Sequence, residues 1–370
     1  MAPVIKALNR RPEDSDSVVR VTAQHREMLD QMLGVLDIVP DQDPNVMRPD
    51  QSLSELTARI LKALGAVVAV EQPGWVLVQG DTTTVMVTSL VAFYHGAKPG
   101  HVEGRLGTGD KYSPYPEEIN RRLTDVLADL HFAPVAASRD TVLREGVPDT
   151  VIIVTGNTAI GAVLMMAGHV DERSVRAETG IVDAKSIIPD TPHRHESCGV
   201  PLANVFGALL EIARRYRERF DLEYLVHLGP SVRTLARETL GEVPNIPVIE
   251  PMDDQTFVGL LRLAYTVLTD SDGLQEEIPS LGKPVPVLRE VTERPEGTPP
   301  GAARLVGTIP RTIVWEMVHL LDNREAYEDL ASVENPYGDG RAAEKIVRSI
   351  VAEGRNPCAL VAQPIATVAA

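Results

Sequence analysis

The sequence predicts an α/β protein with parallel sheets covered on both faces, divided into two domains. Short apolar runs alternate with helix-length stretches, the pattern of strand–helix–strand units. Several runs end in small or polar residues, as at Gly80-Asp81-Thr82 and Thr155-Gly156-Asn157. Open α/β sheets bind ligands at such carboxyl ends. A chain of 370 residues gives two domains enough material for a core each.

Taken in order, Pro3 to Arg10 reads as a helix. Trp75-Val76-Leu77-Val78 reads as a strand, followed by a Gly-Asp-Thr turn and a helix from Thr83 to Tyr94. Val151-Ile152-Ile153-Val154 repeats the theme. The seam is expected among residues 165–180, giving a first domain over 1–168 and a second over 169–340. In the second, Leu202 to Phe220 is an amphipathic helix and Tyr224-Leu225-Val226-His227 a strand. Pro247-Val248-Ile249, Thr266-Val267-Leu268 and Pro284-Val285-Pro286-Val287-Leu288 supply three more, the last with prolines that suit a strand end or edge. Arg341 to Glu353 is helical, and the Ala- and Pro-rich residues 355–370 are expected to fray.

Composition narrows the function. Hydrophobic content of 44% and charged content of 24% describe a soluble globular protein. A net charge of −16 argues against nucleic-acid binding, which draws its affinity from Lys and Arg on phosphates. No apolar run is long enough to span a bilayer and no basic-then-apolar leader opens the chain, so a cytoplasmic location is expected. Cys198 and Cys358 give neither a disulfide framework nor metal-ligand spacing. Aromatic residues make up 4%, so a ligand would be held by hydrogen bonds and charge more than by stacking.

The most telling stretch is Thr269-Asp270-Ser271-Asp272-Gly273-Leu274-Gln275-Glu276-Glu277, with Thr292-Glu293-Arg294-Pro295-Glu296 beyond it. A small-residue turn entering a helix aims N–H groups at an anion, and carboxylates one turn inside can hold ribose hydroxyls. An arginine nearby can pair with phosphate in fork geometry. The plainer reading is an N-cap with an acidic first turn. Other stretches accompany it in order: Val21-Thr22-Ala23-Gln24-His25-Arg26-Glu27, Gln79-Gly80-Asp81-Thr82-Thr83-Thr84, His101-Val102-Glu103, Ser113-Pro114-Tyr115-Pro116-Glu117-Glu118-Ile119-Asn120-Arg121, Thr155-Gly156-Asn157-Thr158, His193-Arg194-His195-Glu196-Ser197 and Asn335-Pro336-Tyr337-Gly338-Asp339-Gly340.

This series resembles the non-hydrolysing UDP-N-acetylglucosamine 2-epimerases, which share the GT-B glycosyltransferase fold, and the similarity runs from residue 1 to about residue 350. The resemblance implies two Rossmann-like domains with an interdomain cleft, and a C-terminal helix within 341–370 that crosses back onto the first. It implies interconversion of UDP-N-acetylglucosamine and UDP-N-acetylmannosamine by elimination of UDP and its re-addition, with no cofactor or metal. UDP or a UDP-N-acetylhexosamine would be the ligand and the protein a homodimer. Asp81, Glu103 and Glu117 match the acid/base carboxylates, and His193 the leaving-group histidine. Arg121, His227, Ser271, Asp272, Gly273, Glu277 and Arg294 fall on substrate-binding positions, and Gln24, His25 and Arg26 on a regulatory one.

Each has a plainer alternative. Asp81 could be a helix N-cap, Glu103 a surface residue and Glu117 a first-turn acid. Arg121 and Arg294 could be ordinary ion pairs, and the His-rich stretch a metal-like cluster. Departures from the family pattern also count. Asp272 stands where the family has Gly, repelling phosphate unless it turns away or is protonated. Gly104-Arg105-Leu106-Gly107 displaces an arginine, Gly229 replaces Asn, Gly161 replaces Asp and His195 replaces Arg. Pro189 and Pro192 are expected to interrupt a buried strand leading to His193. The family's first strand and Gly-Thr-Arg-Pro-Glu turn have no counterpart here. A misassigned start, a rearranged sheet or a degenerate first domain would each account for that. A hydrolysing epimerase releasing N-acetylmannosamine, or a UDP-sugar binder without turnover, are the rival functions.

Overall fold

The computed structural model describes residues 1–22, 26–48, 50–104, 107, 109–181, 185–191, 200–226, 230–292, 294–299 and 301–354. The chain forms two compact units. One comprises Met1–Thr158 together with the stretch from Arg341, and the other Ala159–Gly340.

The first unit is built on four parallel strands, β1 (Trp75–Gln79), β2 (Lys98–Val102), β3 (Leu130–Ala133) and β4 (Ile152–Val154), side by side in chain order. Helices Thr83–Tyr94, Glu117–Leu127 and Ala136–Arg144 make the crossovers. Among the described residues no strand precedes Trp75, and the segment before it makes a single parallel bridge, Arg20 to Gln42. One core cluster joins both ends of the chain: Val4, Val102, Leu130 and Phe132 pack with Ala343, Ile346, Val347 and Ile350 of helix Ala342–Gly354. A longer helix, Leu53–Glu71, opens with a capping box in which Ser52 and Glu55 satisfy each other's backbone N–H. Its Ile60, Leu64 and Val68 meet Val87 and Val91 of Thr83–Tyr94.

The second unit holds six parallel strands, β5 (Ser186–Thr191), β6 (Phe220–Leu225), β7 (Val248–Ile249), β8 (Leu268–Thr269), β9 (Pro286–Val287) and β10 (Arg304–Leu305). Their order is β10-β9-β8-β5-β6-β7, so chain direction across the sheet reverses between β8 and β5. That is the switch point at which open α/β sheets hold ligands. Helix Val200–Arg215 covers the sheet with Val205, Phe206, Leu209 and Ile212.

Three expectations need correcting. The helix expected to reach Phe220 ends at Arg215, and Phe220 instead opens β6, packed edge-on against Tyr216. The strand expected to run to His227 ends at Leu225. Pro189 does not interrupt β5, which runs through it and pairs with both β6 and β8. Even-numbered residues bond toward β6 and odd ones toward β8, as Ser186 N–H to Arg219 and Tyr265 N–H to Ile187 show. The missing N–H of Pro189 therefore faces β8 at residues 265–267, before that strand begins.

Candidate active site

In the first unit Asp81 and Glu103 follow the carboxyl ends of the neighbouring strands β1 and β2. Gly80, with φ of 84°, turns the chain out of β1 in a conformation that favours glycine. Asp81 follows, half-buried, and the N-cap of helix Thr83–Tyr94 is Thr82, whose hydroxyl accepts from the Val85 N–H. Asp81 is thus not the cap. Glu103 leaves β2 with φ of 55°, a left-handed backbone uncommon outside glycine. Its carboxylate accepts from Gln79 Nε2 at 2.6 Å and, more weakly, from the Thr158 hydroxyl at 3.4 Å. Gln79 Nε2 also reaches Thr158 Oγ1 at 3.1 Å. Gln79 and Thr158 belong to the two motifs quoted above, yet sequence reasoning gave neither a role. Glu117 begins helix Glu117–Leu127, half-buried, while the adjacent Glu118 is buried.

Arg121 is 1% exposed and serves as the hub of an ion-pair network. It grips Glu145 with both terminal nitrogens, at 2.8 and 2.6 Å, and donates to Asp125 at 2.8 Å and Glu118 at 3.1 Å. With three carboxylates around it, the guanidinium acts inside the fold, closer to the ion-pair alternative than to a direct ligand contact. Burial favours protonation of Asp125. The hydrogen bonds from His101 and His131 and the charges of those rings outweigh it and hold the carboxyl well below the usual carboxylate range. His101, Asp125 and His131 offer donor atoms within 4.8 Å of one another, the one such group among the described residues that could hold a metal.

In the second unit, Ser271 is the N-cap of the short helix Asp272–Glu277, directly beyond β8 at the switch point. The anticipated repulsion from Asp272 is met locally: Arg289 Nη1 donates to its carboxylate at 2.7 Å, with both side chains largely buried. Gly273 is exposed at the helix start, and Glu277 is half-buried one turn on. Arg294 forms an ion pair with Glu276, while its N–H donates to the Thr292 hydroxyl at 2.9 Å. The same threonine donates to Gln275 Oε1 at 2.6 Å, tying the two motifs together.

The third motif supports both. Asn335 donates to the Glu276 carbonyl at 2.8 Å, and the Tyr337 hydroxyl accepts from the Gly297 N–H and donates to the Arg294 carbonyl, each at 3.1 Å.

Below this turn Asp190 is fully buried in β5, and neither carboxyl oxygen has a hydrogen-bond partner among the described residues. Burial, then the neighbouring Asp270, pushes its carboxyl well above the ordinary range. Glu223 in β6 is pushed up to about 8 by burial, with Asp221 adding to it. His193, His227, Gln24 and His25 lie outside the described residues. Arg26 begins helix Arg26–Val35, its side chain also outside them.

The family model for UDP-N-acetylglucosamine 2-epimerase matches residues 6–351. A UDP-N-acetylglucosamine 2-epimerase of Salmonella typhimurium is 47% identical over 356 residues, covering 95% of this chain and 94% of its own. Among solved structures, the Neisseria meningitidis UDP-GlcNAc 2-epimerase bound to UDP-GlcNAc superposes with a TM-score of 0.82 at 42% identity, over 95% of this chain and 96% of that one. The Methanocaldococcus jannaschii UDP-GlcNAc 2-epimerase in complex with UDP-GlcNAc and UDP gives 0.72 at 31% identity, over 95% of each chain.

Proposed function

The chain belongs to the UDP-N-acetylglucosamine 2-epimerase family, whose structures have the GT-B fold, and from that premise we propose that it interconverts UDP-N-acetylglucosamine and UDP-N-acetylmannosamine. The proton on C2 of the sugar is scarcely acidic, so direct deprotonation and reprotonation would be slow. Elimination of UDP to a 2-acetamidoglucal, protonation of C2 from the opposite face and return of UDP avoids that barrier. It needs a base, an acid on the other face and groups that carry the charge of departing UDP. In this reading Asp81, Glu103 and Glu117 supply the acid/base groups and His193 serves the leaving diphosphate. Ser271 and Gly273 offer N–H groups to the phosphates, Glu277 holds the ribose, and His227 and Arg294 complete the contacts. Arg121 acts through Asp125 and Glu145.

The observation that carries the reading is Glu103. A left-handed backbone and bonds from Gln79 and Thr158 hold one carboxylate in a fixed direction beside the Asp81 turn. Such pre-positioning is what acid/base chemistry requires and a binding scaffold does not. The Asp272–Arg289 pair supports the non-hydrolysing reaction over the hydrolysing one, because it removes the charge that would weaken UDP retention.

We further infer a homodimer formed through the first unit. Phe93 and Tyr94 end one of its helices, and Leu123 and Val126 are exposed on the next. Among the described residues no helix is long and apolar enough to cross a membrane, and the reading assigns the enzyme to the cytoplasm. Incubation with UDP-N-acetylglucosamine in D₂O, followed by NMR, tests the reaction. Deuterium at C2 with UDP-N-acetylmannosamine is the expected result. Free UDP with N-acetylmannosamine, or UDP binding without exchange, would refute it.

A further inference from the structure

Behind the Asp81 and Glu103 turns lies a buried set of side chains whose two histidines the reaction as described does not use. His101 in β2 and His131 in β3 are register partners. Both direct Nδ1 at the same oxygen of Asp125, at 2.7 and 3.3 Å, and Arg121 holds the other oxygen at 2.8 Å. On its far side, His101 Nε2 lies 2.8 Å from the carbonyl oxygen of Gly80, the residue before Asp81. His101 is 1% exposed, His131 3% and Asp125 4%, so water does not share these contacts.

The partners dictate the protons. A carbonyl oxygen accepts and cannot donate, so Nε2 of His101 carries hydrogen. Nδ1 faces the Asp125 carboxylate, so the ring bridges a backbone carbonyl and a carboxylate. The space around it is closed. A Cβ on Gly104, the residue after Glu103, would stand 3.0 Å from His101 Cε1 and 3.3 Å from Nδ1. A metal ion at the three donors would place a dication beside Arg121, which already neutralises the same carboxylate.

We propose that His101 is a positioning residue for the epimerase reaction: its ring ties the Gly80 carbonyl to Asp125 and so fixes the Asp81 turn against the strand that delivers Glu103. The proposal rests on the acid/base reading of Asp81 and Glu103 above. The charged or titratable groups around the ring are Asp125 from helix Glu117–Leu127 and His131 from β3. Arg121 with Glu118 and Glu145 stands one bond further out, and Glu103 lies two residues along the same strand.

Two substitutions separate the ends of the bridge. His101→Gln keeps a donor where Nε2 was and gives up Asp125, whereas His101→Asn keeps the Asp125 bond and cannot reach Gly80. A displaced catalytic turn costs up to about 100-fold, so His101→Asn is expected to lose roughly 30-fold or more in kcat, His101→Gln less than about fivefold, with KM nearly unchanged in both. Thermal melts of the two variants should coincide. Independently of turnover, ¹⁵N NMR of the unmodified protein, assigned by loss of the signal in His101→Gln, should show Nε2 of His101 protonated and hydrogen-bonded. An unprotonated Nε2, equal kcat losses in the two variants, or a stoichiometric metal retained through chelator dialysis would overturn the proposal. If Nε2 is protonated but the unmodified protein leaves UDP-N-acetylglucosamine unchanged, the epimerase reading falls, and the positioning role with it, while the bridge stands.

Discussion

Arg289 donates to the Asp272 carboxylate at 2.7 Å, and that one contact reconciles an acidic residue with a turn expected to face a diphosphate. The pair is 10% and 12% exposed, so neither charge has ready solvent to replace its partner. Losing the arginine would turn the Asp272 charge against the expected diphosphate.

Arg289→Leu is therefore expected to weaken UDP binding by about 10- to 100-fold, or ~1.4–3 kcal/mol. Asp272→Gly in the same chain should restore most of it, since it removes the repelling carboxylate. Calorimetric titration of UDP into the single and double variants checks this, and equal weakening in both would contradict it.

Gln79 orients Glu103 without touching substrate in the proposed reaction. Gln79→Leu should lower kcat by roughly 10- to 100-fold with KM little changed, through loss of direction at the carboxylate. Glu103→Gln should abolish C2 deuterium incorporation, while UDP still binds. Parallel steady-state kinetics and the D₂O experiment distinguish these outcomes.

Stability should decline as pH rises from acid toward pH 8. The Glu223 carboxyl is raised from 4.5 to about 8 in the folded protein, and Asp190 is raised also. The unfolded chain loses these protons near the ordinary carboxylate range, whereas the folded one retains them. Stability is thus full below the unfolded value and is lost as pH climbs through the folded one. Glu223→Gln should flatten the profile and add about 1–3 kcal/mol at pH 8. Differential scanning calorimetry from pH 5 to 8 measures both, and an unchanged slope in the variant would count against Glu223 as the cause.

Gly107 has no room to grow. A Cβ there would lie 2.5 Å from Arg121 Nη2 and 3.0 Å from Cζ. The guanidinium is pinned by Glu118, Asp125 and Glu145 and cannot step aside cheaply. Gly107→Ala is expected to destabilise the protein by about 1–3 kcal/mol, read as a lower midpoint in urea. The same change at Gly146, where no atom lies within 4 Å but φ is 95°, would cost through backbone strain alone and is the useful control.

The fold class and strands such as β1, β4, β7 and β9 were legible because apolar runs and turn residues are contiguous in sequence, whereas β3, inside the first sheet, was not anticipated. Turns at Gly80-Asp81 and Ser271-Asp272 were legible for the same reason. What stayed hidden is pairing across distance. Nothing near Asp272 marks Arg289, 17 residues on, as its partner, and Asn335 reaches the Glu276 carbonyl across 59 residues. Arg294 was visible as a cation but not as the partner of Glu276. Pro189 misled for a local reason. A proline rule counts the lost N–H without knowing which neighbour it faces, and here it falls between the Ile187–Ala264 bridge and the β8 ladder that starts at Asp190.

The first unit's core is completed by residues from both ends of the chain, Val4 at one and Ile346 and Val347 at the other, whereas the second unit is one uninterrupted stretch. Synthesis from the amino end therefore delivers every residue of the second unit before the helix that finishes the first. The later-made half can settle while the earlier-made half still waits for its last piece, an inversion of the usual amino-end-first order.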